Sequence, residues 1–127
     1  MQSHGDERGS LIAIEENKDV PFAIKRVYYI FATKKEVRRG LHAHRNVRQL
    51  IVAVSGSTTV HLDDGFDKSE IRLDDPGQAL LLEGVIWREM YDFSEDCVLM
   101  VLTDQLYDPT DYIRDYAAFC QLARGGH

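Results

Sequence analysis

The chain has 127 residues, 44% of them hydrophobic and 28% charged, with a net charge of -6. That length suits a single domain spanning 1–127, able to bury roughly two-thirds of its unfolded surface, and the composition is globular rather than disordered or fibrous. The acidic balance argues against a nucleic-acid partner, which needs a basic stripe, and no apolar run reaches the roughly 20 residues of a membrane span. The first residues, MQSHGDERGS, lack the basic-then-apolar form of a signal peptide, so a cytoplasmic location is expected. Cys97 and Cys120 form no Cys-x-x-Cys pattern and are expected to be reduced thiols, with Cys97 in the core.

In chain order, residues 1–5 are expected to be frayed, and SLIAIEE is the first β-rich run, broken by NKDVP. AIKRVYYIFA is a longer strand candidate and TKKEVRRG a polar connection. After two histidines come RQLIVAVSGSTTVHL, a turn at DDGFDK, SEIRL, a turn at DDPG, QALLLEG, VIWREMYDF and CVLMVLTDQ. This is about seven or eight strands with no helical pattern between them, which predicts a β-sandwich or barrel. A helix appears only at the end: Thr110 or Asp111 caps DYIRDYAAFCQLAR, where Ile113, Tyr116, Ala117 and Cys120 fall at helical spacing. Gly125 and Gly126 stop it, and 124–127 are expected to be frayed.

Strand parity sorts the side chains by face. In IKRVYYIF, Arg26, Tyr28 and Ile30 share one face, and Lys25, Val27, Tyr29 and Phe31 share the other. In RRGLHAH, Arg38, Gly40, His42 and His44 are expected on one face, opposed by Arg39, Leu41 and Ala43. Two histidines on one face bind a metal, move protons or simply fill a strand. His42 and His44, then Gln49 after four residues and Gly56 after six more, reproduce the form of the first motif of cupins, small double-sheet jelly-roll barrels. Metal-binding cupins usually carry glutamate where Gln49 stands and a further histidine where Arg88 stands. A guanidinium has no lone pair to donate, so no metal is expected at these residues.

Five blocks carry a closer resemblance: DERGSLIAIEENKDVPFAIKRVYYIF, RRGLHAHRNVRQLIVAVSGS, LDDG, VIWREMYDFSEDCVLMVL and YDPTDYIRDYAAF. In order and spacing they resemble the dTDP-4-keto-6-deoxyglucose 3,4-ketoisomerases, metal-independent cupin enzymes of deoxysugar biosynthesis. The chain departs in having Arg88 where the family often has histidine, and in a short segment before the first block. The resemblance implies an all-β fold, a cupin or double-stranded β-helix jelly-roll barrel with a short C-terminal helix. It also implies a homodimer, no cofactor, and dTDP-4-keto-6-deoxyglucose as substrate. His42 is implied as the base that takes the C3 proton, Tyr28 as the group that hands protons between the C3 and C4 positions, and His44 as a group that orients or polarises an oxygen.

A substrate with a pyrophosphate needs local positive charge on this acidic chain. Arg38, Arg39, Arg45 and Arg48 cluster around the histidines, and Arg26 stands on the Tyr28 face. Arg26 is the strongest substrate-binding candidate, because an arginine within an apolar strand needs a partner. Arg8, Arg39, Arg88 and Gln49 complete the expected substrate-binding set. Trp87 is expected to be a core anchor, and the face of Glu89 is undecided. Two other functions compete: a 3,5-epimerase-like enzyme, which would pair its base with an acidic group not seen on the Tyr28/His42/His44 face, and a non-catalytic sugar-binding cupin.

Overall fold

The alternation of apolar and polar residues becomes two antiparallel sheets facing each other across one interior. The computed structural model describes residues 1–125. In chain order the strands are β1 (Ser3–Asp6), β2 (Gly9–Ile12), β3 (Arg26–Phe31), β4 (Arg39–His44), β5 (Gln49–Ser55), β6 (Thr58–Asp63), β7 (Lys68–Leu73), β8 (Ala79–Leu82), β9 (Trp87–Tyr91), β10 (Val98–Thr103) and β11 (Tyr112–Ile113), before α1 (Tyr116–Gly125). One sheet has the order β3-β10-β5-β8 and the other β11-β4-β9-β6-β7; β1 and β2 form a hairpin of their own. This is the expected jelly-roll barrel with a short C-terminal helix. No helix among the described residues is long and apolar enough to cross a membrane.

Register explains which side chains line the interior. Tyr28 lies opposite Val101, Val101 opposite Ile51 and Ile51 opposite Leu80, so these four share the inward face of the first sheet. They pack against Val60, Leu73 and Met90 from the second sheet to form the main core. The outward face of the first sheet is only partly covered. Val20 and Phe22, from the irregular segment before β3, close over Leu50 and Leu102. Val27, Tyr29 and Phe31 on β3 remain more than half exposed. On the other side of the barrel Ala43, Trp87, Ile113 and Phe119 form a third cluster, through which α1 packs on the outward face of the second sheet. Trp87 is thus the core anchor expected, with its indole N–H donated to Glu89 Oε2 at 2.8 Å.

Several expectations change. Eleven short strands replace seven or eight, because β1, β4 and β11 lie in segments with little apolar alternation. The expected first run keeps its strand ladder as far as Ile12, where β2 ends, and beyond it only Glu16 makes an isolated bridge, to Val20. At the N-terminus the Met1 ammonium donates to Gly77 O at 3.2 Å and Ser3 pairs with Ile12. At the other end the Arg124 side chain donates to Gly65 O, so it is anchored, whereas 126–127 lie outside the described residues. Neither Thr110 nor Asp111 caps the helix. Residues Pro109–Asp111 form a single 3₁₀ turn, Tyr112 and Ile113 pair with His44 and Ala43, and Asp115 caps α1 by accepting from Ala118 N.

The parity of β4 is also altered. Leu41 has φ +57° and is the extra residue of a bulge, so that Gly40 lies opposite Glu89 while His42 lies opposite Arg88. The bulge keeps both histidines inward but exchanges the two arginines before them. Arg39 takes the register of inward-facing Met90, and Arg38 lies outside, bonded to Glu89 at 2.7 Å and over the ring of Tyr91. Glu89 is therefore outward. Gly40 is required here: its φ is +86°, and a β-carbon would stand 2.9 Å from Arg88 O.

Candidate active site

At the end of the barrel where β3 and β5 begin and β4 ends, polar side chains replace the core hydrophobics. His44, Gln49 and Arg88 are each only 2% exposed. Arg26, His44, Gln49, Thr103, Tyr107 and Tyr112 line a cavity there. A broader cleft, lined by Lys34, Lys35, Arg72 and Asp92 among others, contains none of the predicted site residues, and its Lys35 and Arg72 are already paired with Asp92.

Each polar group can be followed to its partner. His42 Nδ1 lies 2.9 Å from Gly40 O, and because a carbonyl only accepts, the His42 proton sits on Nδ1. His44 Nδ1 lies 2.8 Å from the carboxylate oxygen Oδ2 of Asp111, which fixes its proton in the same way. The two Nε2 atoms stand 3.2 Å apart with the ring planes nearly perpendicular. Tyr112 packs on both, its ring centroid 4.8 Å from His42 and 4.5 Å from His44. Arg88 donates through Nη1 to Gln49 Oε1 and through Nε to Ile86 O, leaving Nη2 as a buried donor with no partner among the described residues. Its cation thereby orients the Gln49 amide, whose Nε2 donates to Tyr28 Oη at 3.4 Å. The Tyr28 oxygen accepts this bond, and among the described residues no acceptor takes its own proton.

The same burial sets the protonation states. Desolvation, with Arg88 adding repulsion, lowers both His42 and His44 to about 4, so both rings are neutral at pH 7. Desolvation, helped by Tyr112, raises the Tyr28 phenol above its ordinary value, with Gln49 and Arg88 opposing. Arg88 is lowered by burial to about 10 and stays a cation. The pocket thus holds two neutral bases and one neutral acid.

Of the predicted residues, Tyr28, His42, His44, Gln49, Arg88 and Arg26 converge. Arg26 lies over the rings of Tyr28 and Tyr107, at 4.5 and 5.1 Å, so an aromatic pair supplies the partner its position demanded. Gln49 has both ends of its amide engaged, by Arg88 and Tyr28, and holds the site together from behind. Arg8 is not brought in: it is bonded to Asp6 at 2.8 Å on the exposed hairpin. Arg39 is exposed. Sequence reasoning missed Asp111 and Tyr112, having placed both in the helix. It also held that no acidic group accompanies the histidines, and Asp111 corrects this.

The family model described as FdtA, WxcM-like, C-terminal matches residues 1–124. A TDP-4-oxo-6-deoxy-alpha-D-glucose-3,4-oxoisomerase from Aneurinibacillus thermoaerophilus is 57% identical over 114 residues, 90% of this chain and 82% of that protein. Among solved structures, a variant of the 3,4-ketoisomerase QdtA from Thermoanaerobacterium thermosaccharolyticum, in complex with TDP-4-keto-6-deoxyglucose, superposes with TM-score 0.96 at 40% identity, over 98% of this chain and 90% of that one. The TDP-quinovose 3,4-ketoisomerase WlaRB from Campylobacter jejuni gives 0.91 at 46% identity, over 94% and 92%.

The depressed histidines make stability depend on pH. Unfolded, each binds a proton near pH 6.5; folded, only near 4. Between those values the unfolded chain holds more protons, so their contribution to stability is full above about 6.5 and is lost as pH falls toward 4. NMR titration should place the His42 and His44 midpoints well below 6.5, and the urea midpoint should be lower at pH 5 than at pH 7. In a His42→Asn, His44→Asn double variant that difference should shrink.

Proposed function

The chain belongs to the FdtA, WxcM-like family, and from that membership we propose that it is a dTDP-4-keto-6-deoxyglucose 3,4-ketoisomerase, moving the ketone from C4 to C3 through an enediol. The observation that carries this reading is one buried side-chain cluster holding bare imidazole nitrogens beside a phenol whose oxygen accepts from Gln49. Those are the base and the acid the reaction requires, with no redox step to supply.

His42 Nε2 takes the C3 hydrogen as a proton. The electron pair of the C3–H bond becomes the C3–C4 double bond, and O4 takes the Tyr28 proton to give the enediol. In the second half the O3 proton passes to the Tyr28 phenolate, C3 becomes the carbonyl, and C4 receives the proton held by His42. Every proton taken is returned. Acid–base catalysis of this kind contributes about 10²–10⁴-fold, so charge stabilisation must add to it. The unpartnered Arg88 Nη2 is assigned to the oxygen that gains charge. Arg26 is assigned to the diphosphate. The enzyme needs no metal or cofactor in this scheme and works in the cytoplasm, in deoxysugar biosynthesis.

The protein is further proposed to be a homodimer. The exposed Val27, Tyr29 and Phe31 on the outward face of β3 make an apolar edge of the kind that a second copy covers. Light scattering at micromolar concentration should give twice the chain mass, whereas a monomer would remove this proposal.

Incubation with dTDP-4-keto-6-deoxyglucose should yield a 3-keto sugar by NMR; return of a C3 epimer with the ketone still at C4 would favour an epimerase, and no proton exchange at all a binding protein. His42→Asn should abolish both turnover and exchange of the C3 hydrogen with deuterated solvent. Tyr28→Phe should slow ketone transfer while leaving some C3 exchange. Wild-type exchange in His42→Asn would show that the base is misassigned.

A further inference from the structure

Two neutral imidazoles cannot hydrogen-bond through Nε2 when both carry their proton on Nδ1. Gly40 O fixes that tautomer for His42 and Asp111 fixes it for His44, so lone pair faces lone pair at 3.2 Å. The contact is unfavourable while the pair is empty. It becomes a hydrogen bond once a single proton arrives.

We propose that Asp111, His44 and His42 form one proton-holding unit, in which the proton that His42 Nε2 takes from C3 is shared with His44 Nε2 while Asp111 holds His44 in the tautomer that can accept it. The proposal rests on His42 as the base. The electron pair of the broken C3–H bond stays with the substrate, the added positive charge lies across the two rings opposite the Asp111 carboxylate, and the proton leaves again to C4. Asp111 is a positioning residue.

The surroundings limit the unit to one proton. Arg88 on β9 and Arg114, just beyond β11, both disfavour positive charge on the rings, whereas Asp111 favours it on His44; Tyr28 on β3, its phenol raised above the ordinary value, is a neutral neighbour, and the Tyr112 ring on β11 packs against both imidazoles. A second proton would set two cations 3.2 Å apart beside Arg88.

Asp111 is itself held from the far side. Its Oδ1 accepts from the backbone N–H of Arg45 at 3.1 Å and of Asn46 at 2.8 Å, leaving Oδ2 for His44. This makes Asp111→Asn informative. The amide oxygen keeps the two backbone donors, and the amide nitrogen then faces His44 Nδ1. Two donors cannot meet there, so the His44 proton moves to Nε2 and is donated into the lone pair His42 needs.

The test is steady-state kinetics with pH profiles and C3 exchange for the wild type, Asp111→Asn, His44→Asn and the double variant. Asp111→Asn should lower kcat about 10²-fold, with C3 exchange falling in parallel, KM changing by less than about threefold, and the acid limb of the kcat profile moved to lower pH. His44→Asn leaves the bonds to Arg45 and Asn46 intact and should lose a similar factor even if Asp111→Asn folds poorly. The double variant should be no worse than the more impaired single variant. A kcat within about twofold of wild type in both single variants, a loss confined to KM, or additive losses in the double variant would overturn the proposal. If His42→Asn abolishes exchange while these results appear, only the shared proton is refuted; if His42→Asn still exchanges, both assignments fall.

Discussion

A guanidinium buried to 2% exposure inside a barrel of aliphatic side chains is the constraint around which this pocket is organised. Arg88 remains charged, so its donors must be met or the site would carry a heavy desolvation cost. Meeting them fixes the rest. Nη1 turns the carbonyl end of Gln49 toward itself, which leaves the amide nitrogen for Tyr28 and the Tyr28 proton for substrate. The same positive charge, added to desolvation, keeps both histidines unprotonated at neutral pH. A cation in this place also makes a poor neighbour for a metal, while Nη2 remains to meet an oxygen that gains charge.

The fold divides these tasks between the two faces of each sheet. Inward positions of β3, β5, β4 and β9 carry Tyr28, Gln49, the two histidines and Arg88, while the outward positions of β4 and β9 carry Ala43 and Trp87, which seat α1. The chemistry is therefore held on strands that are pinned from behind by packing. The outward face of β3 lacks such cover.

Much of this was legible in the sequence because strand parity is a strong signal wherever apolar residues alternate. It placed Arg26 and Tyr28 together, and the His42, His44, Gln49 and Gly56 spacing identified the barrel. The signal failed where backbone geometry broke the alternation. The bulge at Leu41 has no apolar signature, so Arg38 and Arg39 were assigned to each other's faces. Asp111 and Tyr112 were absorbed into the final helix by a 3.6-residue pattern that begins in earnest only at Tyr116. The Asp-Pro-Thr-Asp stretch, a turn signal before a short apolar pair, was the clue that the helix starts later. Arg8 entered the expected site through the need for positive charge near a diphosphate, whereas on this chain it lies on an exposed hairpin, bonded to Asp6.

The account depends most on where two protons reside. Histidine ¹⁵N NMR of the enzyme at pH 7, with signals assigned through His42→Asn and His44→Asn, reads the tautomers directly. The account predicts that both rings carry hydrogen on Nδ1 and a bare Nε2. A spectrum with hydrogen on Nε2 of either ring, or with either ring protonated at both nitrogens, would contradict it.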